Sequence, residues 1–354
     1  MLVVLVTHFI LLLFLIVRDK GEFLLIYLIS LICLLGYSFE TWLGQHDWLI
    51  SDEYSYFYDY DYWVNDTRFI WGYINKWFYE YDVMGYVFIK LFNIPILLYS
   101  LHLLSIIFKT RPLKIIMFMP YLITLGIVNF RDILILSATL GFIILFNKRY
   151  YFKSLASIAL LYGTRLFALF IAMFSVVIQR KRLFLLSTIF GVVIINLLDL
   201  SAIKSLYNLT FYLTEGYQDR IADRFQQCAD CSPIKAGLYG VGRNLLTPFP
   251  WSQIHRLFTL NYDYGTTFEI LRSWSQICFW FVLLQISLKP KRYFHAFVYS
   301  GRSIKSLLAF ALLICLVYGI LHFGSSHQRI KLLTQLPIIC FYLYEKGLYH
   351  HKQS

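Results

Sequence analysis

Residues 147–182 read NKRYYFKSLASIALLYGTRLFALFIAMFSVVIQRKR. The 25 residues from Ser154 to Ile178 are apolar apart from small hydroxyls, Tyr162 and a single charge, Arg165. About 20 such residues cross the roughly 30 Å hydrocarbon core of a bilayer as one helix. Both flanks are basic: Lys148, Arg149 and Lys153 on one side, Arg180, Lys181 and Arg182 on the other. Lys and Arg mark cytoplasmic connections, so a single crossing would strand one cluster outside. A re-entrant hairpin turning near Gly163-Thr164-Arg165 keeps both inside. Non-helical backbone at that depth is tolerated only when buried in protein or lining a wet cavity. The stretch therefore predicts a re-entrant helix pair inside a polytopic α-helical membrane protein.

The rest of the chain agrees. Of 354 residues, 59% are hydrophobic and 15% charged, with mean hydropathy +0.62, against roughly 25% charged residues in ordinary globular domains. That excludes a cytosolic enzyme, a coiled coil and a disordered chain. The +12 net charge is not a nucleic-acid signal, because the cations sit in short clusters between apolar runs. Those runs are 1–17, 23–39, 85–108, 115–130, 132–146, 154–178, 183–198, 273–288, 306–321 and 332–345, giving about 9–11 spans with the re-entrant pair counted. The first run has no basic n-region and no small-residue cleavage site, so it reads as a retained span.

Charge sets the orientation. One set of connections carries 18 Lys and Arg against three acids, the other 12 against 17. The first set is cytoplasmic, which puts the N-terminus outside and the C-terminus inside. Residues 1–354 form a single transmembrane domain with two long extracytoplasmic segments, 40–84 and 199–272.

The 40–84 segment holds nine carboxylates and 16 aromatic residues in 45 positions. Carboxylates accept hydroxyl hydrogen bonds and aromatic faces cover pyranose rings, so the composition suits sugars; for most of these rings the bland reading is an interfacial aromatic belt. Asp52 and Glu53 follow the apolar Trp48-Leu49-Ile50 and are candidate general bases, or else a solvated surface pair.

Arginines at membrane level come next. Arg131, in Asn129-Phe130-Arg131-Asp132, connects two short runs and either binds a ligand or pairs locally with Asp132. Arg165 lies between apolar flanks, where a charge costs at least about 2.5 kcal/mol. It needs a carboxylate, a watery cavity or an anionic ligand. At a hairpin turn the adjacent half-helix also offers free N–H groups and a positive dipole end, which suits phosphate. Arg243, before the rigid Pro248-Phe249-Pro250-Trp251 turn, and Arg272, at a span boundary, are further candidates. His327, Arg329 and Lys331 crowd five outer residues and read as an anion-binding group with a titratable histidine, or as a decorated helix start.

Several motifs are absent: Walker loop, GxGxxG, HExxH and nucleophile elbow. Cys228 and Cys231 form a CADC whose better reading is a small structural disulfide. The carboxylates are dispersed, so no metal or other cofactor is expected.

The chain resembles the Wzy-type polysaccharide-repeat polymerases, including their EpsG-like branch, in layout across nearly its whole length. Ser51-Asp52-Glu53-Tyr54-Ser55-Tyr56 is similar to the GTDxxxY element of the first outer loop. Asn129-Phe130-Arg131-Asp132 is similar to the Arg-bearing short hairpin. Tyr162-Gly163-Thr164-Arg165 occupies the place of a His-bearing re-entrant pair, and His327-Gln328-Arg329-Ile330-Lys331 with Pro337 resembles the ERYR…P signature. The resemblance implies a GT-C-like, metal-independent glycosyltransferase of the bacterial inner membrane. It would join undecaprenyl-diphosphate-linked oligosaccharides at the periplasmic face, for O-antigen or a related polysaccharide, with a chain-length regulator as a candidate partner. Arg131, Arg165 and Arg329 would hold the diphosphate, and Asp52, Glu53 or His327 would take the acceptor proton. The alternatives are a polyprenyl-linked-sugar transferase adding one residue and a flippase of the lipid-linked unit. A membrane O-acyltransferase would need a reachable histidine, for which His8 and His102 are the early candidates.

Overall fold

A computed structural model describes residues 2–18, 20–43, 51–65, 68–81, 83–129, 131–180, 241–243, 245–247, 249–259, 266–321 and 328–353. Among the described residues the protein is all-α, without a strand. It opens with α1 (Leu2–Val17) and α2 (Gly21–Trp42). The aromatic segment folds as α3 (Ser51–Tyr58), α4 (Tyr60–Val64) and α5 (Phe69–Tyr79). Next come α6 (Val83–Phe108), α7 (Pro112–Phe118), α8 (Tyr121–Ile127), α9 (Asp132–Asn147) and α10 (Tyr151–Val177). The C-terminal part contains α11 (Pro250–Thr259), α12 (Thr266–Leu288), α13 (Pro290–Tyr299), α14 (Arg302–Leu321) and α15 (Gln328–Gln353).

Among the described residues three helices are long and apolar enough to cross a membrane: Gly21–Trp42, Val87–Phe108 and Tyr151–Val177. A fourth is added if α8 and α9, bent by 109°, form one broken span. These helices make the chain an α-helical membrane protein. The expected runs 273–288, 306–321 and 332–345 are the apolar parts of α12, α14 and α15. The expected run 115–130 is instead divided at Met119-Pro120 into α7 and α8, because proline brings no N–H to continue the ladder. The expected run 183–198 and most of the 199–272 segment, with Cys228 and Cys231, lie outside the described residues.

α9 is the centre of the bundle. Every residue from Asp132 to Ile144 is buried, and the helix packs on α6, α8, α10 and α14. A helix apolar on all sides must be enclosed. α1, α2 and α10 form part of the rim and turn Phe9, Phe14, Ile32, Leu35, Phe152 and Phe170 outward, as lipid contact requires.

Two polar ties join distant helices in this apolar setting. Pro95 lies inside α6 and cannot donate to the carbonyl four residues back, on Leu91. That carbonyl accepts a hydrogen bond from His8 Nε2 at 3.0 Å, and His8 Nδ1 meets the Tyr27 hydroxyl at 3.0 Å. His8 thus carries its proton on Nε2, accepts from Tyr27, and links α1, α2 and α6. Glu40, at the end of α2, caps α12: its Oε1 accepts from Thr267 N at 3.0 Å and Thr267 Oγ1 at 2.7 Å. A carboxylate at a helix N-terminus satisfies free donors and the dipole together.

Replacing His8 by Phe keeps the volume but leaves the Leu91 carbonyl unpaired in an apolar setting. The variant should lose about 1–3 kcal/mol, read as a lower unfolding midpoint of the purified protein in detergent. An unchanged midpoint would show that the Pro95 gap is filled some other way.

Candidate functional site

The bend between α8 and α9 is held by side-chain amides. Asn93 Nδ2, on α6, donates to the Val128 carbonyl at 2.7 Å. Asn129 Nδ2 donates to Asn75 Oδ1 at 2.7 Å, and Asn75 Nδ2 donates to the Trp71 carbonyl on α5 at 2.9 Å. All three asparagines are fully buried. Backbone that leaves a helix away from water must find such partners. The bend presents Arg131 at the start of α9.

Opposite it, α10 breaks at Arg165, whose backbone is extended (φ −163°, ψ 85°). The sequence predicts a re-entrant turn near Gly163-Thr164-Arg165; the structure has a break at Arg165 within one helix of 27 residues. Two residues before Arg165, Gly163 lets α10 close on α5. A Cβ there would lie 2.4 Å from Ile70 Cδ1 and 2.9 Å from Phe69 Cζ, inside any real contact.

These two breaks bring Arg131 and Arg165 together. Arg131 is buried and its Nη1 donates to the Thr164 carbonyl at 3.3 Å. Its guanidinium lies 5.7 Å from the centre of the Tyr56 ring, on α3. Arg165 Nη1 is 3.5 Å from Asp132 Oδ1, with side chains 15% and 4% exposed, so this ion pair is nearly dry. Asp132 therefore serves Arg165 across the helix pair. The positive charges of Arg165 and Arg68 repel that of Arg131, and Asp132 offsets them. Arg68 stacks 3.8 Å over the Trp63 ring. The result is a compact group of guanidinium, aromatic and carboxylate side chains drawn from α3, α4, α9, α10 and the segments before α5 and α9.

A second group forms around Lys331. Its side chain is fully buried, and its ammonium donates to the Thr247 carbonyl, to Thr247 Oγ1 at 2.8 Å and to the Arg243 carbonyl at 3.4 Å. All three of its N–H donors are thereby directed at the 243–247 segment. The charges of Lys331 and Arg243 are close enough to act on each other. Arg272, on α12, pairs at 2.7 Å with Glu269 of the same helix.

The remaining expected residues are placed only by backbone. Asp52 and Glu53 occupy the first turn of α3, Asp52 one turn before Tyr56. Arg329 lies in the first turn of α15. The side chains of these three, and all of His327, lie outside the described residues. Sequence reasoning missed Tyr56, Arg68 and Thr164 as neighbours of the arginines. Tyr56 and Arg68 sit in a segment so rich in aromatic and charged residues that no single one stands out. Among the described residues no group of three or more His, Cys, Asp or Glu gathers as metal ligands would.

A groove of about 270 Å³ opens between α2 and α6, walled by Leu31, Leu34, Leu35, Val87 and Leu91. Lys90 lines it too, with its ammonium 4.4 Å from the centre of the Tyr37 ring. Comparison with protein-family models, curated proteins and solved structures gives no match for this chain.

The approach of α10 to α5 is testable. Gly163→Val should cost about 1–3 kcal/mol by overpacking, and Ile70→Ala in the same chain should restore part of it. Thermal unfolding of the two variants checks this. Equal loss with and without the Ile70 change would mean that Gly163 is not at the contact.

Proposed function

We propose that this chain is a GT-C-like glycosyltransferase that polymerises undecaprenyl-diphosphate-linked oligosaccharide repeat units at the periplasmic face of a bacterial inner membrane. The observation that carries this reading is the meeting of Arg131 and Arg165, 34 positions apart, at two helix breaks within a bundle of apolar helices. A reaction whose leaving group is a lipid diphosphate needs preorganised positive charge at membrane level, where charge develops as the glycosidic bond to phosphate breaks. Guanidinium groups grip phosphate oxygens in pairs of parallel hydrogen bonds. The half-helix after Arg165 adds a positive dipole end.

In this reading Arg131, Arg165 and Arg329 bind the diphosphate, and Arg68 contributes to the same field. Asp52, Glu53 or His327 takes the proton from the acceptor hydroxyl. Asp52 has the advantage of lying one turn from Tyr56, whose ring faces Arg131. The aromatic rings of 54–63 stack on sugar. Arg243 and Arg272 contact the second lipid-linked chain, and Lys331 acts there by holding the Arg243 segment. The groove between α2 and α6 receives a prenyl tail from the side. Basic residues on both flanks of α10 support its reading as a re-entrant pair, with the N-terminus periplasmic and the C-terminus cytoplasmic.

Arg165→Ala should abolish chain elongation, by about a hundredfold or more, while the protein still inserts and accumulates. Arg165→Lys should recover only part, since the paired grip is lost. The measurement is the surface-polysaccharide ladder of cells lacking the native gene and supplied with each variant. A wild-type ladder from Arg165→Ala would remove this site. Full-length chains of altered composition in the deletion strain would point to a single-sugar transferase. Repeat units held on the cytoplasmic side would point to a flippase.

A further inference from the structure

Residues 286–305, read as ISLKPKRYFHAFVYSGRSIK, contain five cations and no acid. They form the end of α12, all of α13 and the start of α14. α13 is held to the bundle on one side. Tyr293 and Ala296 are buried, the Tyr293 ring packs on Phe341 and Tyr342, and Arg292 Nε pairs with Glu345 of α15.

The other side is unlike a soluble surface. Phe294, Val298 and Tyr299 are 68%, 45% and 74% exposed. Phe294 and Val298 are one turn apart, and Lys291 stands one turn before Phe294 on the same stripe. Lys289 precedes the helix and Arg302 follows it, both exposed. Lys305 donates to the Val298 carbonyl at 2.7 Å and closes the helix end. Among the described residues the acid in an ion pair with this stretch is Glu345, and it takes Arg292. Three exposed cations thus surround an exposed apolar strip on a helix of 10 residues. It is too short to cross a membrane and is wedged between two long helices.

We propose that α13 lies in the plane of the membrane surface and that Lys289, Lys291 and Arg302 bind the phosphates of anionic lipids, while Phe294, Val298 and Tyr299 sit among their acyl chains. Amphipathic helices bind in this way, with apolar residues sunk past the headgroups and Lys and Arg stems reaching back to them. Each cation close to an anionic surface contributes about a fivefold gain in binding. The apolar strip selects a lipid over a free phosphate, because a soluble anion would leave Phe294 and Tyr299 in water. The inference needs only the membrane and this patch, so it stands apart from the transferase reading.

The test uses the full chain in a neutral detergent, titrated with pyrene-labelled phosphatidylglycerol and, separately, pyrene-labelled phosphatidylcholine. Phosphatidylglycerol should bind at least tenfold more tightly, and inorganic phosphate should not displace it. The triple variant Lys289→Gln, Lys291→Gln, Arg302→Gln should lose that preference with phosphatidylcholine binding unchanged. Phe294→Ser with Tyr299→Ser should weaken both lipids alike. Equal binding of the two lipids by the native chain would overturn the proposal, as would a triple variant that keeps the preference or displacement by inorganic phosphate.

Discussion

The Thr164 carbonyl, at a break in its own helix, meets the guanidinium of Arg131 at 3.3 Å, and the arrangement of the site depends on that contact. Within a bilayer a backbone group that loses its helical partner has no water to turn to. The extended residue at Arg165 therefore demands a donor from elsewhere, and Arg131 supplies one. Arg131 in turn can be there only because α8 and α9 bend by 109° just before it. That bend needs its own ties: Asn93 donates to its Val128 carbonyl, and its Asn129 donates to Asn75 on α5. Two interruptions that would each be costly alone are thus solved together, and each fixes the position of a charged side chain.

The same economy recurs elsewhere in the bundle. Pro95 frees a carbonyl and His8 fills it. Ser275 Oγ accepts from the Tyr121 amide at the start of α8, a position where α8 has no turn before it to receive that N–H. Gln335 donates to Gln276 at 3.0 Å between α15 and α12. On α12 the buried Glu269, Ser273 and Gln276 fall on one stripe with Arg272, and on α15 Lys331, Thr334 and Gln335 do the same. Polar side chains in this protein gather on inward stripes and leave the apolar ones to face outward. That is the pattern of a helix bundle whose surrounding solvent is lipid.

How much of this was legible in the sequence follows from the range of the interactions. The helical class and the principal apolar runs were readable, because each rests on local composition, and the non-helical residue within α10 is the one that stands against its neighbours. A lone arginine between Ile158 and Ser175 announces its own anomaly. The partners were not readable. A local pair with Arg131 was one of two readings for that arginine, and nothing in the sequence pointed to the pairing of Asp132 with Arg165 across the helix pair. Such a choice is made by packing, through Gly163 against Ile70, and no spacing rule carries it. Asn75, Asn93 and Asn129 were passed over for the same reason: isolated amides in apolar runs have no periodicity, and their purpose appears only when the bend they hold is seen. Pro120 was a readable break that the apolar run around it concealed.

Lys331 shows how packing changes the chemistry that a residue type suggests. An exposed lysine beside Arg329 and His327 would be an anion receptor. Here its ammonium is buried and directed at two carbonyls and a hydroxyl of residues 243–247. A lysine has three donors, and three bonds to one segment use them all. A phosphate could be bound by Lys331 only by releasing that segment. Lys331 therefore acts on Arg243 by holding its segment, without touching a ligand. The start of α15 and the approach to the Phe249–Trp251 stack are thereby tied into one unit, so a movement of α15 must move Arg243 with it. In the proposed transferase this would couple the last helix to the charged side chain that faces the second substrate.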